Sequence, residues 1–113
     1  SVGEPVAEIT SLFVLTEPYA RLGTELEAEA TLRAHAKVGN LTARFWVETP
    51  DGDLLNLGEE NISDMDEGDI ETVSTTYVTA AEGLHRFYTY LYEGDKLLER
   101  KTDRILVGRE GMI

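Results

Sequence analysis

Arg44, Trp46, Tyr88, Tyr90 and Tyr92 are the residues of this chain best suited to recognition. Tyrosine, tryptophan and arginine combine large apolar area with a polar or charged handle, which is why they are enriched where proteins hold partners. Arg86, Tyr88, Tyr90 and Tyr92 alternate with Phe87, Thr89 and Leu91, so on a strand one set faces a core and the other faces away from it. With Phe87, Thr89 and Leu91 inward, the tyrosines line an outer surface, and a neighbouring strand bearing Arg44 and Trp46 extends it. Such a surface serves a protein partner, a second copy of the chain, or a sugar stacked on the rings. Two plainer readings stand beside it. Cross-strand aromatics can simply stabilise a solvated sheet, or the parity can be inverted and the tyrosines turned inward.

A second group is acidic. Asp64-Met65-Asp66-Glu67-Gly68-Asp69-Ile70-Glu71 places carboxylates at alternate positions beside a glycine, and hard oxygen ligands gathered by a tight turn suit Ca²⁺. Asp64, Asp66 and Asp69 are the candidate ligands. The spacing departs from the helix-loop-helix calcium loop: Gly68 is the fifth residue from Asp64 rather than the sixth, and Thr75 stands where the closing carboxylate belongs. A solvated turn is the plainer reading.

Little else points to chemistry. His35 shares its parity with Glu and Arg and reads as solvated, whereas His85 shares a parity with Phe87 and Leu91 and reads as a buried structural residue. There is no Gly-x-Ser-x-Gly elbow, no Gly-rich phosphate loop and no His pair at metal spacing. With no cysteine, thiol nucleophiles, disulfides and thiolate metal sites are excluded. The expectation is a protein that is not an enzyme and needs no cofactor.

Charge narrows the partners. Lys and Arg total 10 against 22 Asp and Glu, a formal charge of -12 on 113 residues. That balance repels nucleic-acid phosphates and anionic lipid surfaces, and it favours cations or basic partners. No apolar run nears the roughly 20 residues of a membrane span, and no signal peptide is visible. The chain starts without Met, and both ends read as cut from a longer protein.

The elements that must position these residues are strands. Val6–Leu15 is rich in β-formers and is closed by Glu17-Pro18. Thr24–Val38 supports two readings. Thr24 with Glu27 forms a helix capping pattern, and Ala, Leu and Glu dominate. Against this, Leu26, Ala28, Ala30, Leu32, Ala34, Ala36 and Val38 fall on one parity. On a helix Leu26, Leu32 and Val38 would point about 120° apart; on a strand all three share a face, and strand is the reading adopted. Leu41–Thr49 alternates again, and Pro50-Asp51-Gly52-Asp53 is a turn. Leu54–Leu57 reads as a short strand, Glu59–Asp69 as a loop or edge excursion, and Ile70–Val78 as a strand. Leu84–Tyr92 joins Lys96–Thr102 through Glu93-Gly94-Asp95, and Asp103–Val107 extends or follows it. About seven short strands with regular turn signals predict one all-β domain over residues 1–113, an antiparallel sandwich with its core at about 6–107.

Three segments carry a likeness to a known family: Leu22-Gly23-Thr24-Glu25 before the long alternating strand, Ile62–Asp69 followed by Thr72-Val73-Ser74, and Glu82–Tyr88 before Glu93-Gly94-Asp95. In these the chain resembles the immunoglobulin-like, adhesion-related sandwich modules of archaeal and bacterial cell-surface proteins. The paired cysteines of antibody domains are absent, and Trp46 shares its parity with Arg44 and Glu48 rather than with the core. The resemblance implies an extracellular or envelope location and a scaffold or adhesion role built on protein–protein contacts. The alternative is a carbohydrate- or calcium-binding accessory module of a larger enzyme or receptor.

Overall fold

A computed structural model describes residues 5–15 and 20–108. Within them the alternating segments become eight strands: β1 (Ala7–Leu15), β2 (Ala20–Arg21), β3 (Glu25–Ala34), β4 (Val38–Glu48), β5 (Leu54–Met65), β6 (Ile70–Val78), β7 (Gly83–Glu93) and β8 (Lys96–Gly108). They form a three-stranded sheet in the order β1-β3-β6 and a five-stranded sheet in the order β2-β8-β7-β4-β5. Every pairing is antiparallel except the two-residue register of β2 with β8. This is the expected all-β immunoglobulin-like sandwich, with one strand more than the sequence indicated.

Parity decides what each strand buries. In β3 the even-numbered residues Leu26, Ala28, Ala30, Leu32 and Ala34 are buried, and the odd ones are not. From the other sheet, Leu41, Ala43, Phe45 and Val47 of β4 meet them with Phe87 and Leu91 of β7. Burial of each large aliphatic or aromatic side chain contributes roughly 1.5–3 kcal/mol. Thr24 caps no helix: its hydroxyl donates to Arg21 O at 2.6 Å and its N–H to Thr79 Oγ1 at 3.2 Å. The helix-like capping pair is therefore a turn that ties β2 to the end of β6.

Two boundaries differ from the sequence reading. Thr24–Val38 is two strands, because β3 ends at Ala34 and β4 begins at Val38. The bend through His35-Ala36-Lys37 contains no Gly or Pro, and its three residues preserve the parity from Ala34 to Val38. Leu54–Leu57 and Glu59–Met65 are one twelve-residue edge strand, so the acidic stretch follows the edge alternative as far as Met65 and the short strand is not separate from it. Its polar residues are those of an exposed edge, where charge discourages pairing with another chain. A bulge interrupts its register between Phe45 and Trp46, with Gly58 at φ 103° and its N–H donated to Asn56 Oδ1. The Glu17-Pro18 breaker lies outside the described residues.

The two sheets are stitched at both seams by side chains that satisfy edge backbone. Ile9 N–H of β1 donates to Glu99 Oε1 at 2.6 Å, and Val14 N–H donates to Asp103 Oδ2 at 3.0 Å. On the opposite seam Thr75 Oγ1 of β6 donates to Leu57 O of β5 at 2.8 Å. Two edge donors of β1 and one edge acceptor of β5 that would otherwise invite another strand are thereby occupied.

Candidate binding face

The outward side of the five-stranded sheet brings the five candidate residues together. Thr42, Arg44 and Trp46 of β4 lie opposite Tyr92, Tyr90 and Tyr88 of β7 respectively. Phe87, Thr89 and Leu91 are buried, so Tyr88, Tyr90 and Tyr92 take the outer face, half-buried against one another. The inverted parity is thus excluded. Trp46 is half-buried on the same face, and Phe45 occupies the core beside it.

The rings form a ladder. Tyr88 and Tyr90 have centroids 6.4 Å apart at 36°, and Tyr90 and Tyr92 stack at 6.5 Å and 18°. Guanidinium groups sit over both ends of it: Arg44 Cζ lies 4.8 Å from the Tyr92 ring centre and Arg100 Cζ 5.8 Å from that of Tyr88. A cation over a ring is drawn to its negative face, so the same contacts that fix the rings also fix the arginines. Arg44 pairs further with Glu59 of β5 (Nε–Oε1, 3.1 Å), and Arg86 pairs with Glu48 (Nη1–Oε1, 3.6 Å), which also receives a long hydrogen bond from Tyr88 at 3.4 Å.

The register of β7 on β8 adds residues that sequence reasoning left out. Arg104, Thr102 and Arg100 lie opposite Arg86, Tyr88 and Tyr90. Together with Asp103 they line an open notch of about 430 Å³. Their alternation in Arg100–Arg104 was the available signal. It was obscured because a bulge between Leu91 and Tyr92 shifts the register near the hairpin, so parity counted from Lys96 is misleading.

The acidic segment is placed differently. Asp64 is the penultimate residue of β5, opposite Gly39. Asp66 and Asp69 close the turn between β5 and β6: Asp66 N–H donates to Asp69 Oδ2 at 2.8 Å, Asp69 N–H donates to Asp66 O at 2.9 Å, and Gly68 takes φ 89°. The Asp69 carboxylate thus serves its own turn. Among the described residues no three His, Cys, Asp or Glu side chains converge as a metal centre. His85 is buried, its Nδ1 3.1 Å from Gly83 O and its ring tilted on Tyr77, while His35 is exposed beside Glu8.

No family model matches this chain, and no curated protein matches it. Solved structures share its fold. The C-terminal domain of wzt superposes with a TM-score of 0.79 at 15% identity, over 96% of this chain and 77% of that one. The Bacteroides uniformis β-glucuronidase matches with a TM-score of 0.75 at 20% identity, over 91% of this chain but 14% of that one. The CARDB domain of a Pyrococcus furiosus protein, crystallised in complex with di-metal ions, matches at 0.70 and 14% identity, over 97% of this chain and 99% of that one. At such identities the likeness is one of fold.

Proposed function

We propose that this domain is a non-catalytic accessory module of an extracellular or envelope-anchored prokaryotic protein. Its working surface is the face formed by Arg44, Trp46, Tyr88, Tyr90 and Tyr92, which takes part in protein–protein contacts, adhesion among them. The observation that carries the reading is the ladder itself: three tyrosines and a tryptophan on one sheet face, with guanidinium groups over the terminal rings. Anchors that are rigid before binding lose little side-chain freedom when a partner arrives. The fold's occurrence as one part of larger chains, as in the β-glucuronidase, supports the accessory role. The charge of -12 argues against nucleic acid and anionic membranes as partners.

The experiment compares wild type with Trp46→Ala/Tyr90→Ala by sedimentation velocity and by retention of the parent protein's neighbouring domains. Loss of association in a variant that keeps its thermal transition supports the face; unchanged association leaves a spacer. The second reading, a carbohydrate- or calcium-binding module, draws on the same resemblance to part of a glycosidase. Calorimetric titration with Ca²⁺ and with a glycan panel separates it, since heat from either ligand favours it and flat traces remove it.

A further inference from the structure

Arg44 of β4, Arg86 of β7 and Arg100 and Arg104 of β8 all face outward on the five-stranded sheet. Arg86 and Arg104 are directly opposite each other across β7 and β8, an arrangement of like charges that costs a sheet stability. Acids outnumber bases about two to one in this chain, so an acidic neighbour for Arg104 would have been easy to place. Among the described residues the ion pairs of this face are Arg44–Glu59 and Arg86–Glu48, and neither includes Arg100 or Arg104. Asp103, the one acid lining the notch, accepts from Val14 N–H. A local conflict of this kind marks a place where something other than stability has been served.

We infer that the notch over β7 and β8 binds the carboxylates of an extended acidic segment of a partner protein. This rests on reading the five-stranded face as a docking surface, and it names the chemistry of what docks. Arg100 and Arg104 stand four residues apart on β8, a span of about 13 Å in a strand. Acidic side chains at alternate positions of an extended partner repeat every 6.5–7 Å or so, so the first and third of three reach both ends of the notch. Arg86 and Arg104 grip one end and Arg100 the other. Tyr88 and Thr102 lie between them; Thr102 offers its hydroxyl group, while that of Tyr88 donates to Glu48. Guanidinium groups fork carboxylates with two parallel N–H···O bonds, and Arg100, held over the Tyr88 ring, is positioned before the partner arrives.

A notch lined by residues of two neighbouring strands fits one extended segment better than a flat sheet. The chain's own Glu25, Glu27 and Glu29 sit on a middle strand flanked by β1 and β6, in the body of a sheet and not on a free segment. A free acidic segment brings the carboxylates without that body. At physiological salt the screening length is about 8 Å, so the acids on the far side of the molecule bear little on the notch.

The test uses a fluorescent heptapeptide with glutamates at positions two, four and six and serine elsewhere, titrated by anisotropy at about 50 mM salt. Expected are saturable binding, a loss of about tenfold or more in Arg100→Gln/Arg104→Gln, and weakening as salt rises. The thermal transition of the variant should shift little, since both residues are exposed and relief of the Arg86–Arg104 repulsion offsets the lost contact of Arg100 with Tyr88. Lack of saturation, or equal binding by the variant, overturns the notch. If association still disappears in Trp46→Ala/Tyr90→Ala, the docking face itself survives that failure. Displacement of the peptide by a galacturonate oligomer that binds more tightly overturns the proposal in favour of an acidic glycan. Self-association that vanishes in Glu27→Gln/Glu29→Gln overturns it in favour of a second copy.

Discussion

On the three-stranded sheet the middle strand turns Glu25, Glu27, Glu29, Thr31 and Arg33 outward; on the five-stranded sheet β7 turns out Arg86, Tyr88, Tyr90 and Tyr92. Both rows arise from the same period-two alternation over the same kind of buried apolar set. Their neighbours differ. Glu29 has Phe13 and Ser74 beside it, and Glu27 has Leu15 and Thr76, with no cation opposite either. Tyr90 lies between Arg44 and Arg100, and Tyr88 between Trp46 and Thr102. The glutamate row is kept apart by its own repulsion and projects into water. The tyrosine row is drawn together by stacking and by cations over its rings. One face spaces like charges along a strand, and the other is the docking surface proposed above.

If that contrast is right, the outward residues of β7 should matter far less to folding than the inward ones. Phe87→Ala leaves a cavity in the shared core and is expected to cost about 3–5 kcal/mol. Tyr88→Ala loses stacking and one cation contact, about 0.5–1.5 kcal/mol. Urea midpoints of the two variants measure the difference. Equal losses would mean that Tyr88 is part of the core and not of a docking face.

The next largest effect belongs to the seam where the two sheets meet. Asp103→Ala strands the Val14 N–H at the edge of β1 and removes a charge-assisted bond, with an expected loss of about 1.5–3 kcal/mol. Asp103→Asn keeps an acceptor and should lose less. Hydrogen exchange at Val14 offers a local readout, and faster exchange only in the alanine variant fits the assigned bond. Inside the tyrosine face the expected sign reverses. Thr89 is buried in β7 and its hydroxyl has no hydrogen-bond partner among the described residues. Thr89→Val should therefore stabilise the domain by about 1 kcal/mol, read as a higher urea midpoint. A loss of stability would show that the hydroxyl is satisfied after all.

How far these features could be read in advance depended on whether they were local. The strand nature of Glu25–Ala34 was written in its parity, which outweighed Ala, Leu and Glu propensities for helix because tertiary burial overrides them. The inward set Phe87, Thr89 and Leu91 was equally legible, and so was the outward row of Arg44, Trp46 and three tyrosines. The break at His35–Lys37 was hidden because the bend contains no turn former and keeps the parity on both sides. The acidic stretch Glu59–Met65 left loop and edge open, since an edge strand needs charge and therefore resembles a loop. Arg100 and Arg104 entered the site only through register, which a bulge displaced. Glu99 and Asp103 gave no sign that they would serve β1, because that contact spans about 90 residues of sequence, as the Ile9–Glu99 separation shows.

The smallest expected effect tests the acidic side of the comparison. Glu25, Glu27 and Glu29 stand two residues apart along β3, about 6.5–7 Å for each step. At that distance like charges in a water-like medium repel by roughly 0.6 kcal/mol before screening, and by less at physiological salt. Glu27 has such a neighbour on each side, and the cross-strand residues beside it, Leu15 and Thr76, offer no compensating cation. Glu27→Gln keeps the shape and removes the charge, so it should stabilise the domain by a few tenths of a kcal/mol. That gain should fade at about 1 M salt, where the screening length falls to about 3 Å. Arg104→Gln relieves the clash with Arg86 on the other face and should follow the same salt dependence. Adding the glutamate heptapeptide should reverse the gain for Arg104→Gln alone, since the peptide stabilises the wild-type notch and has no purchase on β3.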